Sequence, residues 1–292
     1  MATIKNLAFK GGGVLGIAYA GAIKILEDKN MLQAVERVAG TSAGAITATL
    51  VSLRYSASEI KGIVNSTSFK SFEDRKSFLR IFTKYGLFSG DSALSWISSL
   101  IEKKGLPKNA TFSDFKQHGC RDLHVFAADL NLMALREFSF KTTPDVVVAE
   151  AVRASMSIPM FFKAWTFPNN NPDNHLYVDG GMIFNFPIDV FDTGLEPNLE
   201  TMGFYLANIN QVPKANDLKF YQLFKYIKIV FETIMDAQAI NFQKDPEQKK
   251  RTVVIDDLGI SPTNFNLTEA QETALYQSGI QYTTAFLANK EA

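Results

Sequence analysis

The pentapeptide Gly40-Thr41-Ser42-Ala43-Gly44 restricts this chain more than any other stretch. It follows a short strand candidate, Glu36 to Ala39, and precedes Ala45-Ile46-Thr47-Ala48-Thr49-Leu50-Val51, which has the composition of a helix. G-x-S-x-G between a strand and a helix is the pattern of a nucleophile elbow. Such a turn holds the serine in a strained backbone conformation and lifts its hydroxyl above the sheet edge. Side chains two residues before and after would collide, which explains Gly40 and Gly44. The following helix points its N-terminal amides at the same place, where they favour developing negative charge.

The residues before the elbow repeat the same grammar. Asn6 to Lys10 reads as a strand, Gly11-Gly12-Gly13 breaks it, and Val14 to Glu27 has helical spacing. Strand, glycine turn, helix, strand, elbow and helix within about fifty residues make a parallel sheet with helical crossovers.

Downstream, Ser56 to Ile63 reads as a short helix. The stretch 66–104 mixes Phe69, Phe72, Phe78, Ile81 and Phe82 with Lys and Arg, and interrupts the alternation. It is expected to be a helical insertion or cap, with Asp91 or Ser92 capping a helix that runs to Lys104. Thr111 to Phe115 starts another short helix. Leu123 to Leu130 is a strong strand, and Leu135 to Phe140 is expected beside it as a hairpin. Asp145 to Arg153 reads as a helix, Tyr177-Val178 as a short strand ending in Asp179-Gly180-Gly181, and Thr201 to Ala207 and Thr252 to Ile255 as the last strands. Asp217 to Phe242 carries Phe220, Leu223, Phe224, Ile227, Phe231 and Ile234 on one helical stripe, giving a long helix. That stripe is expected to pack on the core, or in part to line an acyl-chain groove or touch a membrane surface. Lys244 to Arg251 is expected to be a solvated charged loop, and Thr268 to Asn289 a final helix. With no repeat, low-complexity segment or linker, a single domain over 1–292 is expected, its C-terminal part helical from 217.

Charge and composition exclude several function classes. The 30 basic and 30 acidic residues cancel, so the basic surplus of a general nucleic-acid binder is missing. The single Cys120 rules out an intramolecular disulfide framework and a cysteine-based zinc cage. The first residues lack the apolar core of a signal peptide. No run reaches the roughly 18 uninterrupted apolar residues of a membrane span. These features suit a cytoplasmic or peripherally membrane-bound protein.

The glycine loop admits two readings. Gly11, Gly13 and Gly16 fit G-x-G-x-x-G after a strand, the context of dinucleotide binding. That use requires an acidic residue at the end of the second strand, which instead ends in Gly40-Thr41-Ser42; Asp28 lies before it. A phosphate loop needs Lys after the last glycine, and Ile17 stands there. The other reading is an oxyanion hole, because consecutive glycines expose backbone N–H groups at a helix N-terminus. Loop and elbow fall at the same end of the sheet.

A serine triad would require a histidine after the acid. The chain has His118, His124 and His175, and none follows Asp179. His124 sits in an apolar strand, where a core role is expected; His175 is near enough to Asp179 to remain an outside candidate. The other base available is a carboxylate, and Asp179-Gly180-Gly181 suits it because glycines allow close backbone approach. A buried aspartate can take the serine proton and return it to the leaving group.

Taken together these motifs resemble the patatin-like phospholipase family. Gly11-Gly12-Gly13-Val14-Leu15-Gly16 resembles its oxyanion loop, and Gly40 to Gly44 its nucleophile elbow. Arg153-Ala154-Ser155-Met156-Ser157-Ile158-Pro159 resembles its A-S-x-x-x-P element, and Asp179-Gly180-Gly181 with Asn185-Phe186-Pro187 its dyad aspartate and trailing N-x-P. The family's loop carries Arg or Lys before its last glycine; here Leu15 removes that cation and leaves the backbone donors. The resemblance implies a three-layer α/β/α fold with a mostly parallel central sheet. It implies a lipid acyl hydrolase acting on phospholipid or lysophospholipid esters, with peripheral membrane contact. Ser42 is the implied nucleophile and Asp179 the base. Amides of Gly11, Gly12, Gly13 and Ala43 form the implied oxyanion hole, and neither metal nor cofactor is needed. The alternative on the same fold is a catalytically weak signalling or binding protein that depends on a protein activator.

Overall fold

The computed structural model describes residues 3–194, 196–209 and 223–291. A seven-stranded sheet forms its centre, with strand order β5-β4-β2-β1-β8-β9 and β7 attached to β4. The strands of this sheet are β1 (Asn6–Phe9), β2 (Arg37–Thr41), β4 (Asp122–Asp129), β5 (Ala134–Ser139), β7 (Tyr177–Asp179), β8 (Thr201–Ala207) and β9 (Thr252–Asp256). β1, β2, β4, β8 and β9 run parallel, whereas β5 and β7 are antiparallel to β4. A separate two-stranded sheet pairs β3 (Gly86–Phe88) with β6 (Met160–Phe162).

The helices are α1 (Ile17–Asp28), α2 (Ala43–Ser52), α3 (Ala57–Ser66), α4 (Phe78–Lys84), α5 (Asp91–Lys103), α6 (Phe112–Gln117), α7 (Val148–Ser155), α8 (Leu223–Ala237), α9 (Ala239–Lys244), α10 (Pro246–Lys250) and α11 (Glu269–Glu291). Several begin as their sequences dictate. Ser56 with Glu59 and Thr111 with Asp114 form capping boxes that satisfy the first free amides of α3 and α6.

Strand alternation divides the core. Leu7, Phe9, Val38, Met202, Phe204 and Leu206 point into one large cluster with α1, α2, α7 and α11. Their neighbours face the other way. Ala39 and Phe126 pack with Phe191, and Tyr205 stacks on Phe242 of α9 with ring centroids 4.3 Å apart. The sheet is therefore covered on both faces, as a mostly parallel sheet requires.

Three expectations need correction. The region 66–104 is not wholly helical: β3 lies inside it and pairs with β6, tying it to the segment after α7. Lys244 to Arg251 is solvated as expected up to Lys250, but it is a helix and not a loop. Asp245 accepts from the amides of Glu247 and Gln248 and caps α10, and Arg251 is buried against Asp192 at 2.5 Å. The long C-terminal stripe is two helices, with a turn at Gln238; its first residues, 217–222, lie outside the described ones.

The register of β4 positions the site. β2 pairs with the first part of β4, ending at Thr41 opposite Phe126. β7 continues along the same edge and ends with Asp179 opposite Ala127. Phe126 and Ala127 are consecutive, so Thr41 and Asp179 meet end to end, and the residue after Thr41 is Ser42.

Candidate active site

Ser42 has φ 54° and ψ −122°, a left-handed conformation that costs a non-glycine residue energy. The turn is tight enough that a Cβ on Gly40 would lie 2.1 Å from the Gly44 carbonyl oxygen. One on Gly44 would lie 2.2 Å from the Phe9 oxygen. The collision expected from the pentapeptide is thus real on both sides.

Ser42 Oγ donates to Asp179 Oδ2 at 2.7 Å. The other carboxylate oxygen, Oδ1, accepts from the Gly181 amide at 2.8 Å, which fixes the plane of the carboxylate. Both side chains are buried. Burial pushes the Asp179 pKa from its ordinary 3.8 up to about 7, against the opposing pull of the Ser42 and Gly181 hydrogen bonds.

The C-terminal end of α7 and the loop after it hold both partners. Ser155 Oγ accepts from the Ser42 amide at 2.9 Å and donates to the Phe126 carbonyl at 2.5 Å. Two residues on, the Ser157 carbonyl accepts from the Asp179 amide at 2.9 Å. Arg153, fully buried, donates to Ser157 Oγ at 2.7 Å and to the carbonyls of Ser89 and Gly90 at 2.9 and 3.0 Å. Its guanidinium also lies over Phe162, and burial lowers its pKa to about 10. Arg153 thereby couples the inserted region to the loop that carries the serine and aspartate contacts.

The glycine loop lies beside this pair. The Gly11 amide is already donated to the Asn185 carbonyl at 2.9 Å, and the Val14 amide to Pro262 at 3.0 Å. Among the described residues, none accepts from the amides of Gly12, Gly13 or Ala43. Leu15 is buried in the core. Lys10 is buried too, its Nζ donating to the Leu206 carbonyl at 3.1 Å, and burial lowers its pKa.

Residues outside the recognisable motifs complete the frame. Gln238 donates to the Gly181 carbonyl at 2.6 Å and accepts from the Asn185 amide at 2.8 Å, clamping both ends of the loop after Asp179. Nothing in the apolar stripe of the flanking helices signals this, because the partner lies 57 residues away. Ser42 and Ala43 also line a cavity of about 40 Å³, walled by Val14, Ile46, Phe69, Phe72, Met156, Ile158, Phe162 and Phe265.

The histidines stand apart from this bond. His175 Nδ1 pairs with Asp129 at 2.7 Å, and His124 with Glu137 at 2.8 Å and Asp122 at 3.6 Å. Asp129, Asp173 and His175 bring one ligand atom each within 4.8 Å of one another. They are satisfied among themselves and by Tyr177, whose hydroxyl donates to Asp173 at 2.9 Å.

Ser42 thus stands on a strained strand-to-helix turn, bonded to a buried carboxylate at one end of a mostly parallel sheet, which is the geometry of a nucleophile elbow. The chain belongs to the patatin-like phospholipase family, whose model matches residues 7–192. It is 34% identical over 296 residues to the uncharacterized protein YqhO of Bacillus subtilis (strain 168), covering 96% of both chains. It is 26% identical over 195 residues to the probable lipid hydrolase 463L of Invertebrate iridescent virus 6, covering 64% of this chain and 62% of that one. In fold it resembles VipD from Legionella pneumophila, with a TM-score of 0.67 at 16% identity, over 98% of this chain and 67% of that one. It also resembles the type III effector ExoU, with a TM-score of 0.55 at 16% identity, over 99% of this chain and 53% of that one. Among the described residues, no helix is long and apolar enough to cross a membrane.

Proposed function

We propose that this chain is a lipid acyl hydrolase that cleaves carboxylic ester bonds of phospholipids or lysophospholipids through a Ser–Asp dyad. The observation that carries the reading is the 2.7 Å bond from Ser42 Oγ to buried Asp179 at the mouth of an apolar cavity. Family membership supports lipid ester hydrolysis in general.

In this reading the Asp179 carboxylate takes the Ser42 proton as Oγ attacks the ester carbonyl. The amides of Gly12, Gly13 and Ala43 hold the oxyanion, and Gly11, its amide committed to Asn185, anchors the loop. Protonated Asp179 returns the proton to the departing alcohol oxygen. Water, deprotonated by Asp179, then attacks the acyl carbon, and Asp179 returns that proton to Ser42 Oγ as the C–Oγ bond breaks and the acid leaves. A pKa near 7 suits a group that must both accept and return a proton at neutral pH. The apolar cavity receives the start of the acyl chain; at about 40 Å³ it has to widen for a full one.

The test is hydrolysis of a phospholipid and lysophospholipid panel, with products identified by mass, with and without cell extract to supply any activator. A fluorophosphonate probe labels Ser42 in the wild type, whereas Ser42→Ala and Asp179→Asn fold normally and release no acid. Wild-type turnover in either variant refutes the dyad.

A further inference from the structure

The part of the inserted region that faces away from the core carries an unusual surface. α4 buries only Ile81 and exposes Phe78 by 59%, Leu79 by 71% and Phe82 by 82%, and Tyr85 just beyond it is 54% exposed. Four large apolar side chains within eight residues of one short helix and its end is more than scattered surface hydrophobicity supplies. The same stretch is cationic. Residues 75–85 contain Arg75, Lys76, Arg80 and Lys84 and no acidic residue, in a chain whose formal charge is zero overall. Arg75 is 3.7 Å from Asp91, and Arg80 donates to backbone carbonyls; Lys76 and Lys84 stand at the exposed surface beside the apolar side chains, Lys76 with its Nζ 5.2 Å from the centroid of the Phe78 ring.

This surface is attached to the wall of the catalytic cavity. α4 packs on β3, and β3 pairs with β6, whose Phe162 lines the cavity next to Ser42. The Lys84 carbonyl accepts from the Ala164 amide at 3.1 Å, and Ala164 packs against Ala128 and Val178 at the ends of β4 and β7. Phe69 and Phe72, in the turn that leads towards α4, form another side of the same cavity. The turn leaving β4 exposes Leu132 and Met133 at the sheet end where Ser42 lies.

From this geometry we infer that α4 is the membrane-docking element of the protein, inserting Phe78, Leu79 and Phe82 into a bilayer whose anionic headgroups engage Lys76 and Lys84. Apolar side chains ringed by Lys and Arg match an anionic lipid surface, where penetration and charge attraction add. The anchoring of α4 to the cavity wall gives the docked enzyme a short apolar path from the lipid layer towards Ser42. The inference deepens the lipid-hydrolase reading, and its test separates the two because binding is measured without turnover.

The experiment uses full-length Ser42→Ala protein with vesicles of phosphatidylcholine alone or mixed with phosphatidylglycerol, read by co-sedimentation. Binding is expected on the mixed vesicles, to weaken with salt, and to fall by at least about tenfold in Phe78→Ser/Leu79→Ser/Phe82→Ser. Lys76→Glu/Lys84→Glu, which leaves the apolar side chains in place, is expected to remove the preference for anionic vesicles. On the Ser42 background, both multiple variants keep wild-type turnover of a short soluble ester and lose turnover of vesicle lipid. Triple-variant binding equal to that of the parent, or equal affinity of the parent for neutral and anionic vesicles, overturns the inference and returns this face to a protein partner. Failure of all ester turnover with vesicle binding intact would instead sink the hydrolase reading and leave the docking element standing.

Discussion

Replacing Asp179 by asparagine removes the charge of the buried carboxylate and keeps its shape. The folded pKa of about 7 lies above the ordinary aspartate value of 3.8. Between those values the folded protein holds a proton that the unfolded chain has released. The stability of this site is therefore intact below the unfolded value, falls as pH rises through the window, and is at its lowest above the folded value. At about 1.4 kcal/mol per pH unit, the gap amounts to about 4 kcal/mol as an upper bound. Asparagine does not titrate, so the variant escapes this loss. Thermal melts of both proteins across the window should show Asp179→Asn gaining on the wild type as pH rises. At about 2 °C per kcal/mol for a chain of this size, the gain reaches about 8 °C at most. Above the folded pKa it levels off. A stability difference that stays flat with pH would refute the claim that burial raises this carboxylate, whatever the variant does to activity.

The remaining predictions follow from the same contacts. With Asp179 acting as base, kcat/KM for a soluble ester should fall about tenfold per pH unit below about 7 and plateau above it, and a flat profile would contradict that role. Ser155→Ala strands the buried Ser42 amide and the Phe126 carbonyl; a loss of about 1–3 kcal/mol in denaturant melts is expected, with a larger fall in kcat than in KM. Gly44→Ala drives a methyl into the Phe9 carbonyl oxygen and should cost about 3 kcal/mol or more, visible as loss of soluble folded protein.

What the sequence determined is local. The elbow was legible because only glycine fits at positions 40 and 44, and that constraint is written into five consecutive residues. The capping boxes at Ser56 and Thr111 and the apolar stretches of β1, β2, β4 and β8 are equally short-range. No histidine follows Asp179 in the sequence, which leaves a carboxylate as the available base, and in the structure Ser42 is bonded to Asp179.

The tertiary structure decided how these pieces meet. Ser42 and Asp179 are 137 residues apart, and they come together because β2 and β7 share one edge of β4 and end on consecutive residues. No periodicity encodes that register, which depends on which edge β7 finds. The same holds for Gln238, for the pairing of β3 with β6, and for Arg153, whose burial against Ser89 and Gly90 ties the inserted region to the site. Hydrogen bonds between distant chain segments leave no pattern in either segment alone. Patterning in sequence records steric and hydrophobic demands within a few residues, whereas the hydrogen bond from Ser42 to Asp179 depends on distances that only the closed sheet sets.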